Sequence, residues 1–220
     1  SREYILSIVE NSNYGFSVPY EPDKYTIQYN ENGGAQWTGA SVDPYKNIMY
    51  VTSNNIPWLV GVQRQKHSSK KRIHYKDKKA KPLRDMDGYP GVKPPWGTLT
   101  AINLNNGKIN WQVPLGHYEV LKSKGILTGT ENFGGATATS GGLVFAAGTL
   151  DKMLRAFDTK TGTELWSYKL PYIGSAPPTS YEINGNQYIV IPASGGTTLK
   201  MFYPDLVELG DAIVAFKIQN

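Results

Sequence analysis

Short apolar runs alternate with clusters of turn-forming residues along most of the chain. Residues 48–52 (Ile-Met-Tyr-Val-Thr) are rich in the β-branched and aromatic side chains that favour strands. Segments 98–104 and 108–113 predict a hairpin, because the Asn-Gly pair between them favours the positive backbone angles of tight turns. No apolar period of 3.6 residues predicts a helix with any strength.

The most regular series of strands lies in the second half of the chain. Four consecutive short strands are predicted, and Gly or a cluster of Asp, Thr and Lys fills each gap between them: 134–139, 143–147, 153–157 and 164–168. They make one complete four-stranded sheet. Segments 176–183 and 187–192 begin another sheet, and 212–216 supplies a later strand. Residues 1–32 are polar and irregular in pattern.

One phrase occurs twice, 55 residues apart. Residues 101–111 (Ala-Ile-Asn-Leu-Asn-Asn-Gly-Lys-Ile-Asn-Trp) return as residues 156–166 (Ala-Phe-Asp-Thr-Lys-Thr-Gly-Thr-Glu-Leu-Trp). A repeat of this length, made of short strands and turns, is typical of propeller blades. We therefore expect an all-β fold, a partial β-propeller of about three to four four-stranded blades. Trp111 and Trp166 have scaffold roles in this interpretation, since a flat ring can fill the space between blades.

The net charge of +5 comes from one segment. Residues 64–84 carry ten basic side chains, and Asp77 is the one acid among them, so the rest of the chain is mildly acidic. Four prolines and the lack of an apolar period predict a long basic insertion loop at about 61–95. The expected organisation is a single partial propeller domain over residues 1–220. The loop could attract anionic lipid or a quinone-pool partner, or it could be a solvated insertion.

Cysteine is absent, which excludes a disulfide framework and thiolate chemistry. No apolar run approaches the ~18 residues of a membrane span, and no leader peptide is visible. The chain also lacks a starting Met. We expect a mature product or a piece of a longer protein.

The repeated motif Ala-x-Asp-x-x-x-Gly-x-x-x-Trp resembles the tryptophan-docking motif of quinoprotein dehydrogenases. Four further segments are similar to the membrane-bound glucose dehydrogenases of that group: 129–135 (Gly-Thr-Glu-Asn-Phe-Gly-Gly), 154–166, 184–191 and 210–216. Their order resembles the C-terminal part of the family. The resemblance implies part of an eight-bladed propeller that uses pyrroloquinoline quinone (PQQ). It covers about residues 33–60 and 96–220.

In this family the quinone lies flat at the centre of the propeller, Ca²⁺ polarises its reactive carbonyl, and an Asp acts as the general base. The resemblance implies that the Ca²⁺ ligands, the catalytic Asp and the stacking tryptophan fall mainly in segments that this chain lacks. The catalytic residues are therefore unknown, and no metal ligand is assigned in this chain. We expect the isolated 220 residues to be inactive.

Four residues are candidates for contact with the cofactor. Gln36-Trp37 stands where the family usually has Asn-Trp in a Gly-rich segment, and Trp37 is either a cofactor contact or a packed core residue. Asn132-Phe133 resembles the entry of an inner strand facing the central channel, and for Asn132 a local turn role is equally open.

Three other features are weaker. Asp151 matches an acidic position of the glucose dehydrogenases but is equally a hairpin-turn acid, which we favour. The loop 193–197 has Thr197 where a Gly-Gly-His-Gly loop has His, which weakens a case for glucose. The three histidines, His67, His74 and His117, have no spacing typical of a zinc site.

The sequence thus predicts part of a periplasmic PQQ-dependent dehydrogenase that oxidises an alcohol or an aldose sugar. Its partners would be the remainder of the propeller, upstream in the same protein or in a second chain, and a membrane quinone or a cytochrome as electron acceptor. The alternative is a non-catalytic propeller that serves as a periplasmic protein-binding scaffold. Nucleic acid is not expected, because the basic residues are not interleaved with a stacking platform.

Overall fold

The computed structural model describes residues 1–15, 17–29, 33–65 and 73–217. Three helices are present there: α1 (Arg2–Glu10), α2 (Glu119–Lys122) and α3 (Thr197–Phe202). The strands, in chain order, are β1 (Ser12–Tyr14), β2 (Tyr25–Gln28), β3 (Gly34–Ala35), β4 (Ser41–Asp43), β5 (Ile48–Asn54), β6 (Trp58–Arg64), β7 (Tyr75–Pro82), β8 (Gly97–Asn103), β9 (Ile109–Pro114), β10 (Ala136–Ala138), β11 (Leu143–Ala146), β12 (Met153–Asp158), β13 (Glu164–Lys169), β14 (Thr179–Ile183), β15 (Asn186–Ala193) and β16 (Ala212–Lys217). Within the described ranges, every helix is too short or too polar to cross a membrane.

The chain divides into two compact units. Unit 1 comprises residues 1–34 and 55–93, and unit 2 comprises residues 35–54 and 94–220. Unit 1 holds α1 and a sheet of order β1-β2-β6-β7, in which β1 and β2 run parallel and the other pairs are antiparallel. That residues 1–220 form a single propeller domain stays a prediction.

Unit 1 corrects two expectations. The N-terminal residues are regular rather than irregular, since they form α1, β1 and β2. We predicted a long loop at about 61–95, but that segment contains the end of β6 and all of β7, paired from Arg64↔Tyr75 to Trp58↔Pro82. Lys and Asp are depleted in strands, so the composition of β7 pointed away from its structure. Pairing with β6 decides the outcome.

Unit 2 contains three successive sheets. The first has the order β3-β5-β8-β9, with β4 also paired to β5, the second is β10-β11-β12-β13, and the third is β14-β15-β16. The second sheet confirms the predicted series of four consecutive strands. The predicted hairpin at 98–113 is confirmed as β8 and β9.

Two apolar cores join the three sheets of unit 2 face to face. The first and second sheets share a core that includes Tyr50, Leu99 and Phe157. The second and third share another that includes Leu154, Ile189 and Ile191. The two tryptophan motifs therefore lie in adjacent sheets that stack side by side, as blades of a propeller do.

Each tryptophan motif is built on the same turn. Asn103 Oδ1 accepts the Asn105 amide at 2.9 Å, and Asp158 Oδ1 accepts the amides of Lys160 and Thr161 at 2.9 and 2.8 Å. These backbone and side-chain bonds, first of all those from Thr161, hold the pKa of Asp158 below its ordinary value. The glycines of both turns have positive φ, +71° and +73°, which side chains oppose.

Trp111 shows what the motif does. Its Nε1 donates to the Thr159 carbonyl oxygen at 3.0 Å, across to the next sheet. Its ring lies over Gly162, where an added Cβ would come within 2.7 Å of Trp111 Cε3. The ring also contacts Tyr50, with 5.9 Å between centroids. Trp111 therefore ties the first sheet to the turn of the second.

The third strands of the last two sheets differ in their cover. The outer strand β13 lies against β12, and the central residues of β12 are buried. In the third sheet β16 is at the edge, its residues are half-buried or exposed, and Ile213 is 76% exposed. Trp166 accordingly packs against Phe216 but stays 40% exposed. Among the described residues, no strand pairs with the outer side of β16.

Candidate cofactor site

Two of the predicted site residues line one cleft. Trp37 and Phe133 face a cleft of about 230 Å³ in unit 2. Its other lining residues are Thr38, Ser175, Gly196, Thr197, Thr198 and Leu199. The cleft thus combines two aromatic rings with several hydroxyl groups, which suits a flat ligand with polar edges.

The segment before β4 presents Trp37 to this cleft. The Gln36 amide donates to the Thr52 carbonyl oxygen of β5 at 2.9 Å, and the Gly39 amide donates back to the Gln36 carbonyl oxygen at 3.2 Å. The resulting turn buries Gln36 and leaves Trp37 79% exposed. Trp37 is therefore not a packed core residue, which was the alternative left open by the sequence.

Asn132 is held on the other side of β5. Its Nδ2 donates to the Ser53 carbonyl oxygen and to Asn54 Oδ1, at 3.0 and 2.9 Å, and the Asn54 amide group returns a bond to the Asn132 carbonyl oxygen at 2.9 Å. These bonds fix Asn132 in a completely buried position. Gln36 and Asn132 are thus both anchored to β5, and neither lines the cleft.

Phe133 is positioned by a close approach of two backbone segments. Its amide donates to the Gly148 carbonyl oxygen at 3.0 Å. A Cβ on Gly148 would lie 2.1 Å from the Gly134 nitrogen, so only glycine permits this approach. The Phe133 ring packs against Phe202, with centroids 6.4 Å apart, and this contact places it beside α3.

Two buried oxygen atoms near these residues lack a hydrogen-bond partner: Thr38 Oγ1, which belongs to the cleft lining, and Asn132 Oδ1. A buried polar atom without a partner costs free energy that a ligand can recover. Together with the exposed Trp37 ring, the free hydroxyl of Thr38 fits a planar, oxygen-rich group such as PQQ. The residues present therefore fit one side of that cofactor.

The far side of the cleft was only partly foreseen. The loop 193–197 was noted for Thr197, whereas Thr38, Ser175, Thr198 and Leu199 carried no sequence signal. Gly196 has φ +80°, and a Cβ there would lie 2.8 Å from Ser175 Oγ, so the glycine lets the two segments meet. Glycine pairs in a loop between two predicted strands are the one sequence sign of this approach.

A second polar cluster surrounds Asp151. Arg155 donates to both carboxylate oxygens of Asp151, to Thr149 Oγ1 at 3.2 Å and to His117 Nδ1 at 3.0 Å. The His117 amide donates to Asp151 Oδ2 at 2.9 Å. The side chains of Asp151 and Arg155 are 5% and 3% exposed. Asp151 does sit in the turn before β12, as favoured, but it also joins three segments of unit 2.

The charge state of Asp151 follows from these contacts. Burial alone would raise its pKa, but the bonds and positive charge of Arg155, the Thr149 hydroxyl and the nearby His117 outweigh burial and hold the pKa below its ordinary value. Asp151 is therefore an ionised partner of Arg155 rather than a base with a raised pKa.

The histidines do not gather into a metal site. His117 contacts Asp151 and Glu119, and His74 lies in unit 1, while His67 falls outside the described residues. Across the part of the chain that the structure describes, no group of three or more His, Cys, Asp or Glu side chains could hold a metal ion.

Comparison with known proteins gives the family. Residues 4–189 match the family described as "PQQ: Glucose/ethanol/alcohol dehydrogenase, beta-propeller domain". The chain is 36% identical over 217 residues to the glycerol dehydrogenase large subunit of Gluconobacter thailandicus, covering 84% of this chain and 29% of that protein. It is 32% identical over 139 residues to the quinoprotein glucose dehydrogenase of Escherichia coli, covering 60% and 17%. The chain thus spans less than a third of either relative.

The fold agrees with a solved structure. The quinohemoprotein alcohol dehydrogenase from Comamonas testosteroni superposes with a TM-score of 0.57 at 19% identity, over 83% of this chain and 26% of that one. The predicted all-β partial propeller is confirmed, and so is the resemblance drawn from the tryptophan motifs. The chain belongs to the family of PQQ-dependent quinoprotein dehydrogenases, within their β-propeller domain.

Proposed function

We propose that this chain is part of a PQQ-dependent dehydrogenase that oxidises the CH–OH group of an alcohol or an aldose sugar, and that its cleft contacts the quinone. The observation that carries the proposal is the exposed Trp37 ring beside Phe133 in one cleft. When bound, PQQ would supply the acceptor for the two electrons of the alcohol. Binding and orientation are left to the chain.

Trp37 would hold the plane of the cofactor by stacking, because its ring is open to the cleft and its turn is fixed to β5. The hydroxyls of Thr38, Ser175, Thr197 and Thr198 are donors for carboxylates or quinone oxygens at the edge of a ligand. Gln36 and Asn132 would position these residues from behind, since both bind β5. Asn132 Oδ1 remains an acceptor for a ligand N–H or O–H.

The proposal assigns no general base to this chain. Asp151 is paired with Arg155 and carries a lowered pKa, so it is a poor proton acceptor. The base and the Ca²⁺ ligands would come from other segments of the whole protein. A periplasmic location, and a membrane quinone or cytochrome as acceptor, belong to the same proposal.

Binding of PQQ to the 220-residue chain tests the cofactor site. We expect quenching of tryptophan fluorescence on titration with PQQ, and Trp37→Ala should weaken the affinity about tenfold, since a stacked ring contributes about 1.4 kcal/mol. Trp166→Ala removes another exposed tryptophan 40% open to solvent and should leave the affinity unchanged. Equal affinities for the wild type and Trp37→Ala would remove Trp37 from the site. Absence of any PQQ binding would favour the scaffold alternative.

Turnover is a separate prediction. With PQQ, Ca²⁺, an artificial electron-accepting dye and either glucose or glycerol, the isolated chain should give no dye reduction above a chain-free blank. The physical reason is that the described residues supply neither a metal site nor a free base. Dye reduction that needs both the chain and PQQ would show that this portion is catalytically sufficient.

A further inference from the structure

One face of the β6–β7 hairpin carries three lysines in a row. β7 lies at the end of the unit 1 sheet, and Lys76, Lys78 and Lys81 belong to it. Lys76 and Lys78 are two residues apart and share a face, while Asp77 alternates to the other face. Lys81, three residues from Lys78, would ordinarily point away from it.

A β-bulge brings Lys81 to the same face. Leu59 pairs with Lys81 and Gly61 pairs with Lys78, so three residues of β7 pass two residues of β6. The extra residue restores the alternation and sets Lys81 beside Lys78. Both ammonium groups lie over the ring of Tyr25 in β2, at 4.0 and 5.6 Å from its centroid.

Gly61 makes this row possible. A Cβ there would lie 2.6 Å from the Lys24 carbonyl oxygen and near the Lys78 side chain, so the glycine clears the space between Tyr25 and β7. Lys78 Nζ also donates to the Asp23 carbonyl oxygen at 2.6 Å. We call this surface the basic face and define it as Lys76, Lys78 and Lys81 with Tyr25.

We propose that the basic face binds the anionic surface of a lipid bilayer. Its charge is carried by lysines, which are hydrated point charges suited to a diffuse negative surface rather than to bidentate pairing with one carboxylate. Ile73 and Tyr75, at the start of β7, are about half exposed and place apolar groups beside the lysines. Basic and apolar side chains together are the combination by which peripheral proteins hold to membrane interfaces.

Two other occupants are weaker on the same observations. Lysines on an edge strand can serve merely to prevent strand pairing between molecules, but that role does not require a bulge that gathers them on one face. An acidic protein would be better matched by arginines in fixed geometry. The anionic bilayer remains the partner that fits the charge, the aromatic ring and the exposed apolar neighbours.

Sedimentation with vesicles tests the proposal. The purified chain should bind vesicles of phosphatidylcholine with about 30% phosphatidylglycerol, and not pure phosphatidylcholine vesicles. In the triple variant Lys76→Gln, Lys78→Gln, Lys81→Gln the partition coefficient should fall about a hundredfold, because each lysine near the surface contributes about fivefold. Binding should also weaken steeply in 0.5 M salt, as the charges become screened.

The matched control replaces three exposed lysines of unit 2, Lys108, Lys124 and Lys160, by Gln and makes the same change in net charge. An equal loss in both triple variants would overturn the proposal, since net charge alone would then explain binding. Lack of binding to anionic vesicles by the wild type would also overturn it, and binding to polyglutamate instead would indicate an acidic protein partner. If the triple variant does not fold, Lys76→Glu alone should lower the partition coefficient about 25-fold.

Discussion

Trp111→Ala should lower the free energy of unfolding by about 3 kcal/mol, at the low end of the range for large aromatic deletions because the ring is only half-buried. The substitution removes the bond from Nε1 to the Thr159 carbonyl oxygen and empties the space over Gly162. It therefore separates the first sheet of unit 2 from the turn of the second. Urea unfolding followed by circular dichroism measures the change.

Trp166→Ala is the control that the repeat itself provides. Trp166 occupies the same motif position but packs against Phe216 at an exposed edge, so we expect a loss of about 1 kcal/mol. Gly162→Ala approaches the same contact from the other side. It should cost about 2 kcal/mol, because the new Cβ meets the Trp111 ring at a φ that side chains oppose. Equal losses for Trp111→Ala and Trp166→Ala would contradict the docking role.

Asp151→Ala should destabilise the chain by about 3 kcal/mol or more, since it leaves the Arg155 guanidinium buried without its main partner. The double variant Asp151→Ala, Arg155→Met should recover part of the loss, because no unpaired charge then remains. Thermal and urea unfolding of the two variants give the comparison. A double variant that is less stable by the sum of the two single losses would contradict a paired role.

The same pair sets a pH dependence. The pKa of Asp151 in the folded chain lies below the ordinary value of 3.8, so its stabilising contribution is complete well above that pH. It is lost as the pH falls below about 3.8, through the folded-state pKa. Asp151→Asn should therefore differ from the wild type most at neutral pH and least near pH 3. The exposed Asp205→Asn should show no such convergence.

Local interactions explain what the sequence could predict. The turns of the tryptophan motifs are held by Asn103 and Asp158 through atoms only two or three residues away, so their spacing is visible in the sequence. The same holds for the four strands β10 to β13, whose turns are short. Trp37 and Phe133 were candidates because of their glycine-rich neighbours, and they do line one cleft.

Long-range contacts explain what was missed. His117 was judged isolated, yet it meets Asp151, 34 residues away, and no spacing rule marks such a pair. β7 owes its structure to β6 rather than to its own lysine-rich composition. Helix α1 contains Ile5, Ile8 and Val9, whose β-branched side chains favour strands, so its sequence obscured the helix.

The uncovered side of β16 has a practical consequence for handling the chain. Its backbone amides and carbonyls face solvent next to an exposed Ile213, and such an edge is a template for another molecule's strand. Concentrated stocks should accumulate soluble oligomers that dissociate on dilution, and Ile213→Lys should delay their formation. Light scattering across a dilution series would serve as a storage test for every variant described above.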